Sequence, residues 1–116
     1  MPPTASVAEV ATERPARYGR QLVSHLGRKA GGEWSAEHDT GWITLGEGRA
    51  EVSCTPGVLH LQVSIPAHPE QLPRLEDVVG RHLVRFGSKD ELVVTWTRAD
   101  GSVGSTQRGE GTDDET

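Results

Sequence analysis

The sequence predicts a two-layer α+β domain, with two helices packed on one face of a mainly antiparallel sheet, in the order β-α-β-β-β-β-α-β. Three observations carry this prediction. Two segments, from Pro15 to Lys29 and from about Pro69 or Glu70 to Phe86, repeat their large apolar residues at helical spacing. Between them, the stretch from Glu33 to Ile65 alternates apolar and polar residues with a period of two, punctuated by Gly and Pro turns. A chain of 116 residues also falls in the size range of one domain.

Taken in order, Ser6 to Ala11 is short, apolar-rich and bounded by Pro and charged residues, as a first strand should be. Thr12 offers an N-cap for the helix that follows, and Pro15 is tolerated because it falls in the first turn. Tyr18, Leu22, His25 and Leu26 share one face of this helix, and Gly31-Gly32 stop it. Glu33 to Glu37 is the next strand, followed by a turn at His38-Asp39-Thr40-Gly41. In Trp42 to Leu45, Ile43 and Leu45 point one way and Trp42 and Thr44 the other.

Gly46-Glu47-Gly48 connects a hairpin. Arg49 to Thr55 places Ala50, Val52 and Cys54 inward, with Arg49, Glu51 and Ser53 outward. Pro56-Gly57 is a tight turn. Val58 to Ile65 alternates most clearly, with Leu59, Leu61, Val63 and Ile65 inward and His60, Gln62 and Ser64 outward. The second helix keeps a stripe through Leu72, Leu75, Val78, Val79, His82, Leu83 and Phe86, ends at Gly87, and leads to a closing strand over Leu92 to Thr97. Helices separated by an antiparallel meander cover the same sheet face.

The domain is therefore read as residues 1–98, with Met1 to Thr4 a loose start. Residues 99–116 hold one apolar residue larger than alanine, Val103, and four carboxylates in the last seven positions. Such composition buries too little apolar area to offset ordering entropy, so the segment reads as a disordered acidic tail. Formal net charge is −5, much of it in that tail, and no basic patch is visible along the chain. Nucleic acid and anionic membrane are thereby excluded as expected partners.

No apolar run approaches the length of a membrane span. The N-terminus lacks a basic region followed by an apolar core, so it is not a secretory signal, and the cytoplasm is the expected compartment. The single cysteine, Cys54, excludes an internal disulfide and reads as a small buried hydrophobe.

Two groups of residues could carry chemistry. On the sheet face away from the helices, Trp42, Glu51 and His60 lie among small polar side chains, a surface suited to a small ligand, a protein partner or a second copy of the chain. His25 and His82 sit on the apolar stripes of the two helices. If the helices pack side by side, the imidazoles could share a site as metal ligands or a general base. Taken singly, each reads as a core-edge histidine bonded to a carbonyl or carboxylate. Glu76 and Asp77 do not stand directly below His82 on the helix.

The remaining chemistry is sparse. His38 and His68 lie in turns, and no H-E-x-x-H or C-x-x-C pattern occurs. Ser24 and His25 diverge as helix neighbours, so they form no dyad. Arg85 and Lys89 sit at the negative end of the second helix, with Asp90 and Glu91 as expected pairing partners.

Arg14 to Lys29 (RPARYGRQLVSHLGRK) and Leu75 to Arg98 (LEDVVGRHLVRFGSKDELVVTWTR) together resemble the two signature blocks of the domain-of-unknown-function 2218 family of small bacterial proteins. The resemblance covers Ser6 to Arg98 and leaves the acidic tail outside it. It implies a small bacterial domain and an association with siderophore and iron-uptake components. It supplies no active-site motif, so no catalytic residue and no cofactor follow from it. The expected function is a non-catalytic binding or accessory module acting through the Trp42 face. The alternative is a metal- or haem-binding protein, or a small enzyme, using His25 and His82.

Overall fold

The apolar stripes and the alternating centre fold as their spacing dictates. The computed structural model describes residues 3–108, with the Lys29 side chain excepted. Strand β1 (Ala5–Ala11) leads into helix α1 (Pro15–Ala30), then β2 (Gly32–Ser35), β3 (Thr40–Leu45), β4 (Gly48–Thr55) and β5 (Val58–Ser64). A 3-10 turn at Pro69–Gln71 opens α2 (Leu72–Phe86), and β6 (Val93–Arg98) and β7 (Val103–Arg108) follow.

Both helices start on a proline in the first turn and stop at glycine. Thr12 is not the N-cap. Its hydroxyl accepts from the Arg14 N–H at 3.1 Å, which turns the chain into α1 without satisfying the helix's own first N–H groups. At the other end Gly31 takes φ 110° and returns its N–H to the Gly27 carbonyl.

The sheet runs in the order β2-β3-β4-β5-β1-β6-β7, with every neighbouring pair antiparallel. Strand β1 thus lies between β5 and β6. Those two strands run the same way, and α2 is the crossover that carries the chain over β1. Helix α1 covers β2, β3 and β4, while α2 lies over the β5 to β7 side. Ile43, Val52, Leu59, Leu61 and Val63 from the sheet meet Leu22 and Val23 of α1 and Leu72, Val79 and Leu83 of α2, all buried. Each such burial contributes about 1.5–3 kcal/mol. Among the described residues, the opposite face of the sheet carries no helix.

The expected tail is corrected between residues 103 and 108. That segment forms β7, paired along β6 with a bulge between Thr95 and Thr97. With almost no apolar residues, it is held in place by hydrogen bonds to buried groups. Glu76 of α2 is completely buried. Its carboxylate accepts from Arg98 Nε and Nη2, both at 3.0 Å, and from the Ser105 N–H at 3.0 Å and Oγ at 2.8 Å. Beside it, Trp96 Nε1–H donates to Gln107 Oε1 at 2.7 Å, and Gln107 Nε2 donates to Ser105 Oγ at 2.9 Å. Gly80 makes room for this network, since a Cβ there would overlap the Gln107 side chain. Residues 99–102 of the expected tail form the turn between β6 and β7, closed by the Arg98 N–H donating to the Ser102 carbonyl at 2.8 Å, and residues 109–116 lie outside the described residues.

Burial pushes the Glu76 carboxyl up, but the Arg98 guanidinium and the Ser105 and Ser6 donors outweigh it and hold the group below the usual carboxylate range. Asp90 finds a partner other than Arg85 or Lys89, accepting a short hydrogen bond from the Tyr18 hydroxyl. That bond, with burial, raises the phenol above its ordinary value.

Candidate functional site

The period-two register that buries Ile43, Val52 and Leu61 turns Trp42, Glu51 and His60 to the uncovered face. Strand pairing lines these residues up across the sheet. Glu33 faces Trp42, Trp42 faces Glu51, Glu51 faces Gln62, and Gln62 faces Val7. In the next row, Ser53 faces His60 and His60 faces Glu9. The sheet twists around these rows to form an open trough of about 920 Å³, in which three carboxylates (Glu9, Glu33 and Glu51) outnumber the Arg49 guanidinium.

The trough has two anchored polar groups. The Arg49 guanidinium lies over the Trp42 ring, 4.8 Å from its centroid, and its Nε sits 3.2 Å from the Glu51 carboxylate. The His60 ring has Nε2 2.7 Å from Thr55 Oγ1 and Nδ1 3.7 Å from Glu9. The order hydroxyl, imidazole, carboxylate is that of a nucleophilic triad. Glu9, however, stands beyond hydrogen-bond reach and both end groups are exposed, so the imidazole is not fixed as such chemistry requires. The arrangement is suited to holding a ligand by stacking on indole and by hydrogen bonds.

On the helical side, His25 and His82 do come together. Their ring centroids are 5.2 Å apart, and the Phe86 ring meets His25 edge-on at 5.3 Å. His82 Nδ1 bonds the Val78 carbonyl at 2.7 Å, so that nitrogen carries the proton of the neutral ring. His25 is exposed at the edge of the α1 stripe, not buried within it. It opens into a cleft of about 680 Å³ bordered by Arg17, Arg20, Ser24, Arg28 and Phe86. The helix thus gathers three guanidiniums spaced by three and eight residues onto one border.

Among the described residues, no group of three or more His, Cys, Asp or Glu side chains is placed to hold a metal ion. The guanidiniums beside the imidazole pair also oppose a cation and favour an anion. The site residues therefore do not fit a metal.

The other marked residues are structural. His68 rests between Glu47 and Glu70, and His38 bonds Ser35 within its turn. Cys54 is half-buried against the core, and burial, with the Asp39 charge, pushes its thiol up, away from reactivity. Sequence reasoning passed over Glu76. Its signal is a lone carboxylate on the repeat Leu72, Glu76, Val79, Leu83, where an apolar residue belongs.

Similarity to known proteins follows the same outline. The family model described as "Uncharacterized protein conserved in bacteria (DUF2218)" matches residues 7–97. The NMR structure of PA4090 from Pseudomonas aeruginosa is similar with a TM-score of 0.65 and 27% identity, covering 81% of this chain and 95% of that one. No curated protein matches significantly. No helix among the described residues is long and apolar enough to cross a membrane.

Proposed function

We propose that this chain, which belongs to the DUF2218 family of uncharacterized bacterial proteins, is a non-catalytic binding module that holds its ligand in the trough of the open sheet face. The observation that supports this reading is Trp42. A large aromatic ring stands half-exposed between the strands of Glu33 and Glu51, on a face that no helix among the described residues covers. Aromatic rings flanked by a few convergent polar groups are the usual construction of a recognition surface. The volume also falls within the range of small-ligand sites.

The test is a ligand screen on the full chain by amide and indole NMR, with cationic, anionic and neutral polar compounds as separate pools. A ligand of this trough shifts the Trp42 indole signal together with the Glu51 and His60 amides, and Trp42→Phe weakens it. Hits that leave those three signals unmoved in every pool would reject the reading.

A second reading rests on the imidazole pair. His25 and His82, with Arg17, Arg20 and Arg28 alongside, suit a small anion better than a metal or haem iron. The association with iron and siderophore uptake gains no support from this geometry. A phosphate titration that shifts both imidazoles, and is lost in Arg20→Ala, is the expected result for the anion reading. Unmoved imidazoles dismiss it.

A further inference from the structure

We infer that the trough recognises a small organic dication, with a guanidinium or ammonium group seated on Trp42 and a second cationic end reaching toward Glu9. The inference rests on the binding reading above and goes further by naming the chemistry of the ligand. It starts from charge. Among the described residues the trough carries Glu9, Glu33 and Glu51 against the Arg49 guanidinium, so an incoming cation is attracted and an anion repelled.

The second observation is where the charges stand. Glu33 and Glu51 are the cross-strand partners of Trp42 on its two sides. With strands about 4.8 Å apart, their backbones are about 10 Å from each other, and the indole lies midway. A positive group on the ring face meets the ring quadrupole and the Glu51 carboxylate, as Arg49 does, with Glu33 on the neighbouring strand adding its charge from the other side. Glu9 lies two strands beyond Glu51 and one row along, about 12 Å away between Cα atoms. That separation suits a ligand with two cationic ends on a short flexible chain.

The third observation is that the protein already holds such a group there. The Arg49 guanidinium sits 4.8 Å from the Trp42 centroid and 3.2 Å from Glu51, with its side chain half-exposed. It is an internal stand-in for the ligand's own cation. Because Arg49 is tethered on the same strand as Glu51, it competes with any cation that arrives from solution. Binding displaces the side chain into water, where an exposed arginine loses little.

This yields an unusual expectation: deleting a trough residue improves binding. The probe is agmatine, a four-carbon chain with a guanidinium at one end and an ammonium at the other. It is titrated into the full chain while the indole signals of its three tryptophans are followed. The expected result is a shift at Trp42 with Trp96, fully buried in the core, still. Arg49→Ala should tighten binding by about two- to fivefold, the worth of the contact it removes from competition. Glu51→Gln and Trp42→Phe should each weaken it, and Glu51→Gln keeps the inference testable if the aromatic variant folds poorly.

An Arg49→Ala variant that binds agmatine more weakly, or no better, overturns the inference. So does a silent Trp42 signal with agmatine. If an anionic or neutral compound moves Trp42 in the wider screen while agmatine does not, the dication falls and the binding reading stands. If nothing moves Trp42, both fall.

Discussion

The buried carboxylate of Glu76 allows a quantitative test of how β7 is held. Its side chain has no solvent contact, whereas the Arg98 side chain retains 24% of its exposure. Removing the two partners should therefore cost different amounts. In Arg98→Met the carboxylate stays buried with only Ser105 and Ser6 to satisfy it. Leaving one charge of a buried pair uncompensated costs about 3–5 kcal/mol. In Glu76→Gln the orphaned guanidinium can turn toward water, and the loss approaches that of charge-assisted hydrogen bonds, about 1.5–3 kcal/mol. Urea unfolding at pH 7 reads both values, with the denaturant slope unchanged if the fold is retained. Glu76→Gln costing as much as Arg98→Met, or either change costing nothing, would refute the account.

The same group predicts the acid limb of stability. The folded state holds Glu76 below its unfolded value, so near neutral pH the group is ionised in both states and its full stabilisation of the fold is present. As pH falls through the ordinary carboxylate range, the unfolded chain takes up the proton first. Stability therefore rises with pH there, and the gap between the wild type and Glu76→Gln should close as pH drops below about 4. A gap that stays constant between pH 7 and pH 3 would show that the carboxylate's charge is not what stabilises the fold.

Truncation after Arg98, the boundary that composition suggests, removes Ser105 and Gln107 and should abolish cooperative thermal unfolding; a truncated chain that melts like the full one would contradict the role given to β7. Tyr18 is the single tyrosine, so its phenol can be titrated alone by ultraviolet absorbance. Its ionisation should come above the usual value of about 10 and return toward that value in Asp90→Asn. Because the folded phenol keeps its proton longer than the unfolded one, stability should decline as pH rises past 10. Cys54 should react with a disulfide reagent far more slowly in the native chain than in urea, and equal rates would place the thiol outside the core.

How much of this was readable beforehand varies with the kind of residue. The outward placement of Trp42 follows from Ile43 and Leu45 alone, because a period-two strand leaves its odd and even positions no choice. The helical stripes were equally plain. The meeting of His25 and His82 was not, since it depends on the relative shift of two helices, which is set by packing and not by either stripe. Strand β7 was illegible for a different reason. Composition rules measure apolar burial, and Ser105 and Gln107 are held by Glu76 and Trp96 instead. The basic border of the cleft beside His25 could be read from the spacing of Arg17, Arg20 and Arg28, which puts all three on one face of the predicted helix.

The distance along the chain between Glu76 and Ser105, 29 residues, has a consequence for the protein's birth on the ribosome. At about 5–20 residues per second, some 1.5–6 s pass between synthesis of the carboxylate and of the hydroxyl that donates to it. Within that interval α2 is completed at Phe86, yet pressing it onto the nascent sheet would strand a charge without its partners. The helix should dock late, leaving Leu72, Val79 and Leu83 open to chaperones until Arg98 and then β7 emerge. A residue that reinforces the finished fold would thereby act, during translation, as a timer on its assembly.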